Sequence, residues 1–312
     1  MVIRFDPKSV LRSGQLPSIP VVSIGMPVFN GALFIREALD LILGQTFRDF
    51  ELIISDNAST DETKAICLEY AARDPRIRYV RQVENLGAIA NLQFVLDQAV
   101  GEYFMWAAYD DLRSKKFIEI LLAGFEDKNV VTSFSKCAQI DSSARKIGDE
   151  IILDFSDDSP YKRIRNYWRD RRDLRDILFY GLHRSKVLKC YRLKPWGILN
   201  IDNPQNCAHP VITHLLANGQ YWFYEDESLF FRRVLEYSSW VGDVTKRTRI
   251  GSFISYLLLI YQLHIRVVCV VYSATSSISL TIALLPTFLS SLFSSMSRHL
   301  ISPIKHRLKN IV

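Results

Sequence analysis

Two adjacent carboxylates, Asp110 and Asp111, end the apolar run GEYFMWAAYDD at residues 101–111. Two like charges side by side repel each other, and the burial of either one is costly. A divalent cation would neutralise them, because Mg²⁺ and Mn²⁺ take one or two carboxylates together with substrate phosphates and water. The alternative is a solvated turn in which Asp111 or Ser114 caps the following helix. The pair therefore predicts either a metal site or a helix start.

Two other polar clusters follow strand-like runs. Asn30 follows VVSIGMPVF, and Asp56 and Asn57 follow FELIIS. Each run is short, rich in β-branched or apolar residues, and closed by turn-forming residues. Ligands of parallel α/β sheets bind at the carboxyl ends of the strands. We therefore expect all three clusters to converge on one ligand site.

The elements that would position these clusters alternate along the chain. Apolar residues at helical spacing fill ALFIREALDLILGQTF, and further helices are predicted from Glu62 to about Ala72 and in FIEILLAGFED. Strands are also predicted in RIRYVRQ, GEYFMWAAY and NVVTSFSKCAQID. This alternation is typical of an α/β fold with a mostly parallel sheet and helices on both faces. We assign this domain to residues 21–235, after an irregular lead-in at residues 1–20.

Composition narrows the classes of partner and cofactor. The net charge of +6 suits an anionic partner such as a nucleotide or a phospholipid, without choosing between them. The five cysteines are far apart and form no C-x-x-C pair, which argues against zinc and against a disulfide framework. The basic stretch YKRIRNYWRDRRDLRD is interrupted by Asp and matches no nucleic-acid module, so we expect no nucleic-acid partner.

The remaining residues, 236–312, are predicted to form a tail of apolar and amphipathic helices. No charged residue occurs from 267 to 297, and basic residues follow at Arg298, His299, Lys305, His306, Arg307 and Lys309. We expect residues 250–312 to associate with a membrane surface. The alternatives are a single span through residues 267–297 and a tail packed on the domain or on a partner. The N-terminus has no apolar signal region, so we expect the inner, cytoplasmic face of the cell membrane.

The ordered set VSIGMPVFNG, FELIISDNASTDET, ENLGAIAN and WAAYDD resembles the catalytic domain of the family 2 glycosyltransferases, over roughly residues 20–235. The resemblance implies the Rossmann-like GT-A fold and a nucleotide-sugar donor. It also implies a Mn²⁺ or Mg²⁺ ion and inversion at the anomeric carbon.

The resemblance also implies roles for single residues. Asp56 would accept a hydrogen bond from the nucleobase, unless it serves only its own turn. Asp110 and Asp111 would hold the metal, while Ala108 stands where the family usually has a first Asp. Asn91 would help position the donor, unless it caps its helix. The implied nucleotide-binding residues are Pro27, Phe29, Asn30, Asp56, Asn85, Gly87, Asn91 and Tyr109.

Inverting transfer also needs a general base for the acceptor hydroxyl. Similar enzymes place an Asp or Glu about a dozen residues before a Gly that follows a helix, which here points near Ala208. No carboxylate stands at that place, so Asp202 is our candidate base. The alternatives are Glu225, Asp226 and Glu227.

The sequence therefore predicts an inverting, metal-dependent glycosyltransferase with a glycan acceptor. We expect this acceptor to be a lipid-linked glycan of cell-surface polysaccharide or O-antigen synthesis. A catalytically degenerate nucleotide-binding scaffold is the alternative, because of Ala108 and the uncertain base. A nucleotidyltransferase is disfavoured, since GMPVFNG lacks a basic residue for a phosphate loop.

Overall fold

A single nine-stranded sheet forms the centre of the part of the chain that the computed structural model describes. The described residues are 19–170, 174–193, 204–235, 268, 269, 271, 275 and 279–290. The strands are β1 (Val22–Val28), β2 (Phe50–Asp56), β3 (Ile77–Arg81), β4 (Tyr103–Trp106), β5 (Leu112–Arg113), β6 (Val130–Ile140), β7 (Lys146–Ile151), β8 (Leu182–Arg184) and β9 (Gln220–Arg233).

The sheet order is β3-β2-β1-β4-β8-β6-β9-β5, with β7 paired to β6. Strands β1 to β4 are mutually parallel, and the short strand β8 is antiparallel to both of its neighbours, β4 and β6. Strands β6 and β9 therefore run in the direction of β1. Only β5, β7 and β8 run in the opposite direction. The sheet is therefore mixed, but most of its strands run in one direction, as the sequence predicts.

Helices occupy the connections between the strands. Strand β2 is buried along its whole length, and because successive side chains point to opposite faces, both faces of the sheet centre are covered. Helix α1 buries residues at helical spacing, as its sequence predicts. The helices are α1 (Ile35–Leu43), α2 (Thr63–Arg73), α3 (Ala88–Gln98), α4 (Phe117–Ala123), α5 (Pro160–Arg169), α6 (Ser185–Leu188) and α7 (Pro204–Asn218).

Helix α7 has a direction that matters for the site. It ends at Asn218, and β9 begins at Gln220 after the single residue Gly219. A Cβ atom on Gly219 would lie 2.6 Å from the carbonyl oxygen of Asn129, so the turn admits no larger residue without rearrangement. Because α7 and β9 meet at this tight turn, the N-terminus of α7 points towards the edge where β9 ends.

Part of the C-terminal tail packs against the domain. Residues 279–290 are helical, and Leu284 and Phe288 are buried there. The Phe288 ring lies 5.7 Å from that of Trp168 in α5, edge to face. Ile282, Leu285 and Leu289 remain exposed on this segment.

None of the helices in the described ranges is both long and apolar enough to cross a bilayer. The predicted domain boundaries near residues 20 and 235 stay predictions, and most of the predicted tail lies outside the described residues.

Candidate functional site

The turns after β1 and β2 are hydrogen-bonded to each other. The Asn30 main-chain N–H donates to Ser59 Oγ at 2.9 Å, and Asn30 Oδ1 accepts from the Thr60 N–H at 2.8 Å. Asn30 itself has a positive φ of 52°, a conformation that asparagine tolerates better than most residues. The first two predicted clusters therefore meet at the carboxyl edge of the sheet, as expected.

Asp56, at the end of β2, is fully buried and already has three partners. Its Oδ1 accepts from the Ser59 N–H at 2.8 Å, and its Oδ2 accepts from Tyr79 Oη and Arg81 Nη1, both at 2.7 Å. Burial raises the pKa of Asp56, but the hydrogen bonds from Ser59, Tyr79 and Arg81 outweigh it and lower the pKa overall. Asp56 is therefore an ionised anchor of its turn, and its contact with a nucleobase stays a prediction.

Arg81 is a site residue that the sequence analysis missed. Arg81 pairs in register with Asp56, because β3 lies beside β2 and both strands end at the same edge. The basic residue that ends RIRYVR was the available signal. Because parallel strands end at the same edge of a sheet, an Arg at the end of this strand could have been predicted to lie near Asp56.

The loop before α3 is fastened to the end of β2. Asn57 Nδ2 donates to Asn85 Oδ1 at 2.8 Å, and Asn57 Oδ1 accepts from the Leu86 N–H at 2.8 Å. Gly87 has φ 84° and ψ 163°, so the predicted backbone turn at this glycine is confirmed. The structure thus brings Asn85 and Gly87 to the site edge, while their contact with a nucleotide stays a prediction.

Asn91 lies in the contact between α3 and β2, and its donor-positioning role stays a prediction. Its side chain is buried inside α3, where Nδ2 donates to the Ser55 carbonyl at 2.9 Å and Oδ1 accepts from Ser55 Oγ. Asn91 also does not cap α3, which begins three residues earlier at Ala88, after Gly87. It therefore connects α3 to β2, and these contacts lend no support to a donor-binding role.

Pro27, Phe29 and Tyr109 lie around the first turn. Pro27 pairs with Ser55 within β1, and Phe29 is half-buried just beyond the strand. The Tyr109 ring covers Gly31 so closely that a Cβ atom there would lie 2.8 Å from Tyr109 Cδ2. Burial and the nearby Asp110 raise the pKa of Tyr109 to about 12, so its hydroxyl stays protonated.

Asp110 and Asp111 occupy the connection between β4 and β5 and have unequal surroundings. Asp111 is 6% exposed, and its Oδ1 accepts from the Arg233 N–H at 2.9 Å. Asp110 is half-buried, and no other described residue donates a hydrogen bond to its carboxylate. Burial raises the pKa of both carboxyls, and for Asp111 the adjacent Asp110 raises it further. A ligand on the Asp110 carboxylate would therefore displace no other described residue, whereas Oδ1 of Asp111 is already held by Arg233.

The helix-cap alternative for this pair is wrong. Helix α4 begins at Phe117 with Lys116 at its N-cap, and in its first turn the Ile118 N–H donates to Gln45 Oε1 at 3.1 Å rather than to Asp111 or Ser114. Asp111 instead fixes the end of β9, and its contact with a metal ion stays a prediction.

The residues present fit a divalent cation in a limited way. Across the described ranges, no three His, Cys, Asp or Glu side chains come together as a metal cluster. A hard cation with most of its ligands from phosphates and water needs only one or two carboxylates from the protein. Asp110 meets that requirement, and the adjacent Asp111 is the candidate for a second carboxylate.

Arg233 holds this part of the site together. Its Nε donates to the Asp110 carbonyl at 2.9 Å, and its Nη1 donates to the carbonyls of Asp141 and Ser142. Its Nη2 pairs with Glu37 at 2.6 Å. Sequence reasoning missed Arg233, because its partners lie between 91 and 196 residues away along the chain.

The described part of the structure places none of the candidate general bases beside Asp110. Asp202 lies outside them, two positions before the start of α7. Glu225, Asp226 and Glu227 are exposed in the middle of β9. A further titratable residue, His183, is fully buried against Thr132 and Phe179, where burial lowers its pKa to about 4, so it belongs to the core.

The fold and the site define a class, a GT-A type α/β protein with its ligand edge at the carboxyl ends of parallel strands. S. aureus TarS 1–349, solved with UDP-GlcNAc, matches 86% of this chain and 79% of that chain with a TM-score of 0.60 at 15% identity. A mannosyltransferase from Pyrobaculum calidifontis, solved with GDP-Man and Mn²⁺, matches 93% and 81% with a TM-score of 0.51 at 17% identity. At these identities the likeness shows the fold.

Residues 23–191, more than half of the chain, match the family model described as Glycosyl transferase family 2. The chain therefore belongs to glycosyl transferase family 2. An uncharacterized glycosyltransferase of Rickettsia typhi is 37% identical over 115 residues, which are 36% of this chain and 35% of that relative. The chain thus matches about a third of the length of this relative.

Proposed function

We propose that this protein is an inverting, metal-dependent glycosyltransferase that moves a sugar from a nucleotide-diphosphate donor to a glycan acceptor. The observation that carries the proposal is the Asp110 carboxylate, free of partners among the described residues at the carboxyl edge of a GT-A type sheet. Family membership supports it, as do structural neighbours solved with UDP-GlcNAc and with GDP-Man and Mn²⁺.

Asp110 would hold the Mn²⁺ or Mg²⁺ ion, with Asp111 as its neighbour. When bound, the ion would neutralise the diphosphate leaving group. Asp111 and Arg233 keep the Asp110 loop in place through main-chain hydrogen bonds, so the carboxylate would need little rearrangement on binding. Preorganisation of this kind lowers the cost of binding a charged group.

The nucleoside end of the donor would lie along Pro27 to Asn30 and Asp56, with the loop of Asn85 and Gly87 beside it. These residues come from three connections that the hydrogen bonds of Asn30 and Asn57 tie into one edge. Tyr109 would close the site between this edge and Asp110.

Asp202 is the proposed general base. Helix α7 starts at Pro204 and points its N-terminus towards the carboxyl edge, which supports a base just before the helix. The side chain would take the proton of the acceptor hydroxyl as that oxygen attacks the anomeric carbon.

The acceptor would be a lipid-linked glycan of cell-surface polysaccharide or O-antigen synthesis, reached at the cytoplasmic face of the membrane. The exposed apolar residues Ile282, Leu285 and Leu289 support a membrane surface as partner. So do the six basic residues that follow between 298 and 309 in the sequence. A single span through residues 267–297 is the alternative arrangement.

A nucleotide-binding scaffold without transferase activity is the second candidate. It is favoured by Ala108 in place of a first acidic residue and by the lack of a three-ligand cluster in the described part of the chain. Such a scaffold would bind the nucleotide and leave a nucleotide-sugar intact, whereas a transferase hydrolyses its donor slowly without acceptor.

The test is thermal stabilisation of the full chain by UDP, GDP, dTDP and CDP, each with and without Mn²⁺. The variant is Asp110→Asn, and the matched control is Glu126→Gln, an exposed carboxylate at the end of the short 3₁₀ helix Gly124–Glu126. We expect a metal-dependent rise in Tm with one nucleotide, lost in Asp110→Asn and kept in the control. No rise with any nucleotide would reject the proposal. A rise in Tm that is the same without Mn²⁺ and in the Asp110→Asn variant would favour the scaffold.

A further inference from the structure

Two adjacent arginines end β9 and have opposite surroundings. The guanidinium of Arg233 is buried and bonded to carbonyls and to Glu37. The Arg232 side chain is 24% exposed and makes one hydrogen bond, a long one of 3.4 Å from Nη1 to Asp176 Oδ1. Its remaining nitrogens have no partner among the described residues, although an arginine can donate five hydrogen bonds.

The position of Arg232 is fixed by the ladder between β5 and β9. Phe231 pairs with Leu112, which places Arg232 beside Asp111. Successive residues of a strand point to opposite faces, so Arg232 leaves β9 on the face opposite Arg233. This is the face of Phe230, on which the Tyr180 ring stacks at 5.9 Å.

The charge of Arg232 acts on the candidate metal site. It is one of the cations that lower the pKa of Asp110 and of Asp111 against the effect of burial. By the ladder Arg232 lies opposite Asp111, the residue next to Asp110 in the chain, and it has donors that no described protein group fills.

We infer that Arg232 is a donor-binding residue that contacts the diphosphate of the nucleotide-sugar. A guanidinium is a planar fork of donors that matches two phosphate oxygens at once, and it never loses its charge. The diphosphate would supply the acceptors that Arg232 lacks, and the long bond to Asp176 could be exchanged for it. The inference rests on the proposed function, because the diphosphate belongs to the proposed donor.

A purely structural role makes a different prediction. In that case Arg232 only balances the buried carboxylates Asp111 and Asp176, and its loss would change stability and leave nucleotide recognition unchanged. The two roles separate when nucleoside diphosphates are compared with their monophosphates, because only the diphosphates carry the second phosphate.

The experiment measures the dissociation constants of UDP, GDP, dTDP and CDP and of the four monophosphates, all with Mn²⁺. It uses the wild type, Arg232→Met, Arg232→Lys and the control Arg73→Met. Arg73 lies at the far end of α2 and is 69% exposed, so its change removes one positive charge far from the site. The Tm of each variant without ligand reports whether it folds.

In the wild type we expect one diphosphate to bind more tightly than its monophosphate. Arg232→Met should weaken binding of that diphosphate by about 10- to 100-fold, the range for a hydrogen bond to a charged group. It should leave the dissociation constant of the monophosphate unchanged. Arg232→Lys keeps the charge without the planar fork of donors, so it should lose less affinity for the diphosphate. It also serves as the test variant if Arg232→Met does not fold. Arg73→Met should match the wild type.

Equal diphosphate affinity in wild type and folded Arg232 variants would overturn the inference and leave the proposed function standing. Equal weakening of diphosphate and monophosphate would also overturn it, because Arg232 would then not distinguish the second phosphate. If the wild type binds none of the nucleotides, the proposed function itself fails, and the inference with it.

Discussion

At the scale of single residues, Asp56 and Asp110 are two carboxylates at one sheet edge with opposite properties. Asp56 is saturated by Ser59, Tyr79 and Arg81, which favour its charged form. Asp110 has no such partners in the described structure, and burial disfavours its charge. A buried carboxylate with donors stabilises the turn around it, whereas one without donors is the better ligand for a cation.

The Asp56→Asn variant should therefore lose stability in a pH-dependent way. Asparagine keeps the acceptor for the Ser59 N–H but loses the charged bond with Arg81, so we expect a loss of about 2 kcal/mol at pH 7. Because the folded-state pKa of Asp56 is lowered, its contribution is present above the unfolded pKa of about 3.9 and disappears as the pH falls further. Urea unfolding at pH 7 and near pH 3 measures both values.

The difference between wild type and Asp56→Asn should narrow below about pH 4. The exposed Asp149→Asn serves as the control, with little change expected at either pH. A difference of constant size from pH 7 to pH 3 would show that the ionised carboxylate is not what stabilises this turn.

At the scale of elements, the entry into α3 depends on Gly87. Its φ of 84° and ψ of 163° lie in a region that side chains strongly disfavour. Asn57 and Asn85 hold the loop on either side of this glycine. The loop is thereby fixed beside the ends of β1 and β2, and its shape is part of the site edge.

Gly87→Ala should destabilise the fold by about 1–3 kcal/mol, because alanine is strained in this conformation. It should also weaken binding of the nucleotide that stabilises the wild type, since the loop would shift at the donor edge. Urea unfolding and nucleotide titration measure the two effects.

Gly148→Ala is the matched control, at another positive φ of 66° with open space around it. It should lose stability and keep nucleotide binding. If Gly87→Ala binds the nucleotide as tightly as the wild type, the loop has only a structural role.

At the scale of the whole molecule, the helical residues 279–290 connect the tail to the domain. Their inner face packs on α5 through Phe288 and Trp168, while the outer face exposes Leu285 and Leu289. An apolar outer face followed by basic residues is the pattern of a helix that lies in a membrane surface.

The double variant Leu285→Gln, Leu289→Gln should bind anionic lipid vesicles about tenfold more weakly or worse, because two leucines no longer enter the apolar layer. Its Tm should stay near that of the wild type, since both residues are exposed. Co-sedimentation with phosphatidylglycerol vesicles measures the binding, and Ser279→Gln is the polar control. The membrane proposal would be contradicted if the wild type does not sediment with the vesicles, or if the double variant binds them as tightly as the wild type.

The sequence by itself determined the order of the first five elements, from β1 to β3, and the meeting of Asn30, Asp56 and Asp110 at one edge. Short apolar strands and amphipathic helices are set by local patterns, and β1 and β2 begin and end within a residue or two of their predicted positions. Parallel strands also end together, which brings the residues that follow them to one edge without any knowledge of the tertiary contacts.

The tertiary structure alone decided which of these side chains are free. Strand β8 has only three residues and β9 was not predicted, yet β9 brings Arg232 and Arg233 beside Asp110 and Asp111. The bond from the Arg233 N–H to Asp111 joins residues 122 positions apart. Hydrogen-bond partners at such separation follow from strand pairing across the whole sheet. Local pattern therefore cannot tell an anchored carboxylate from a free one.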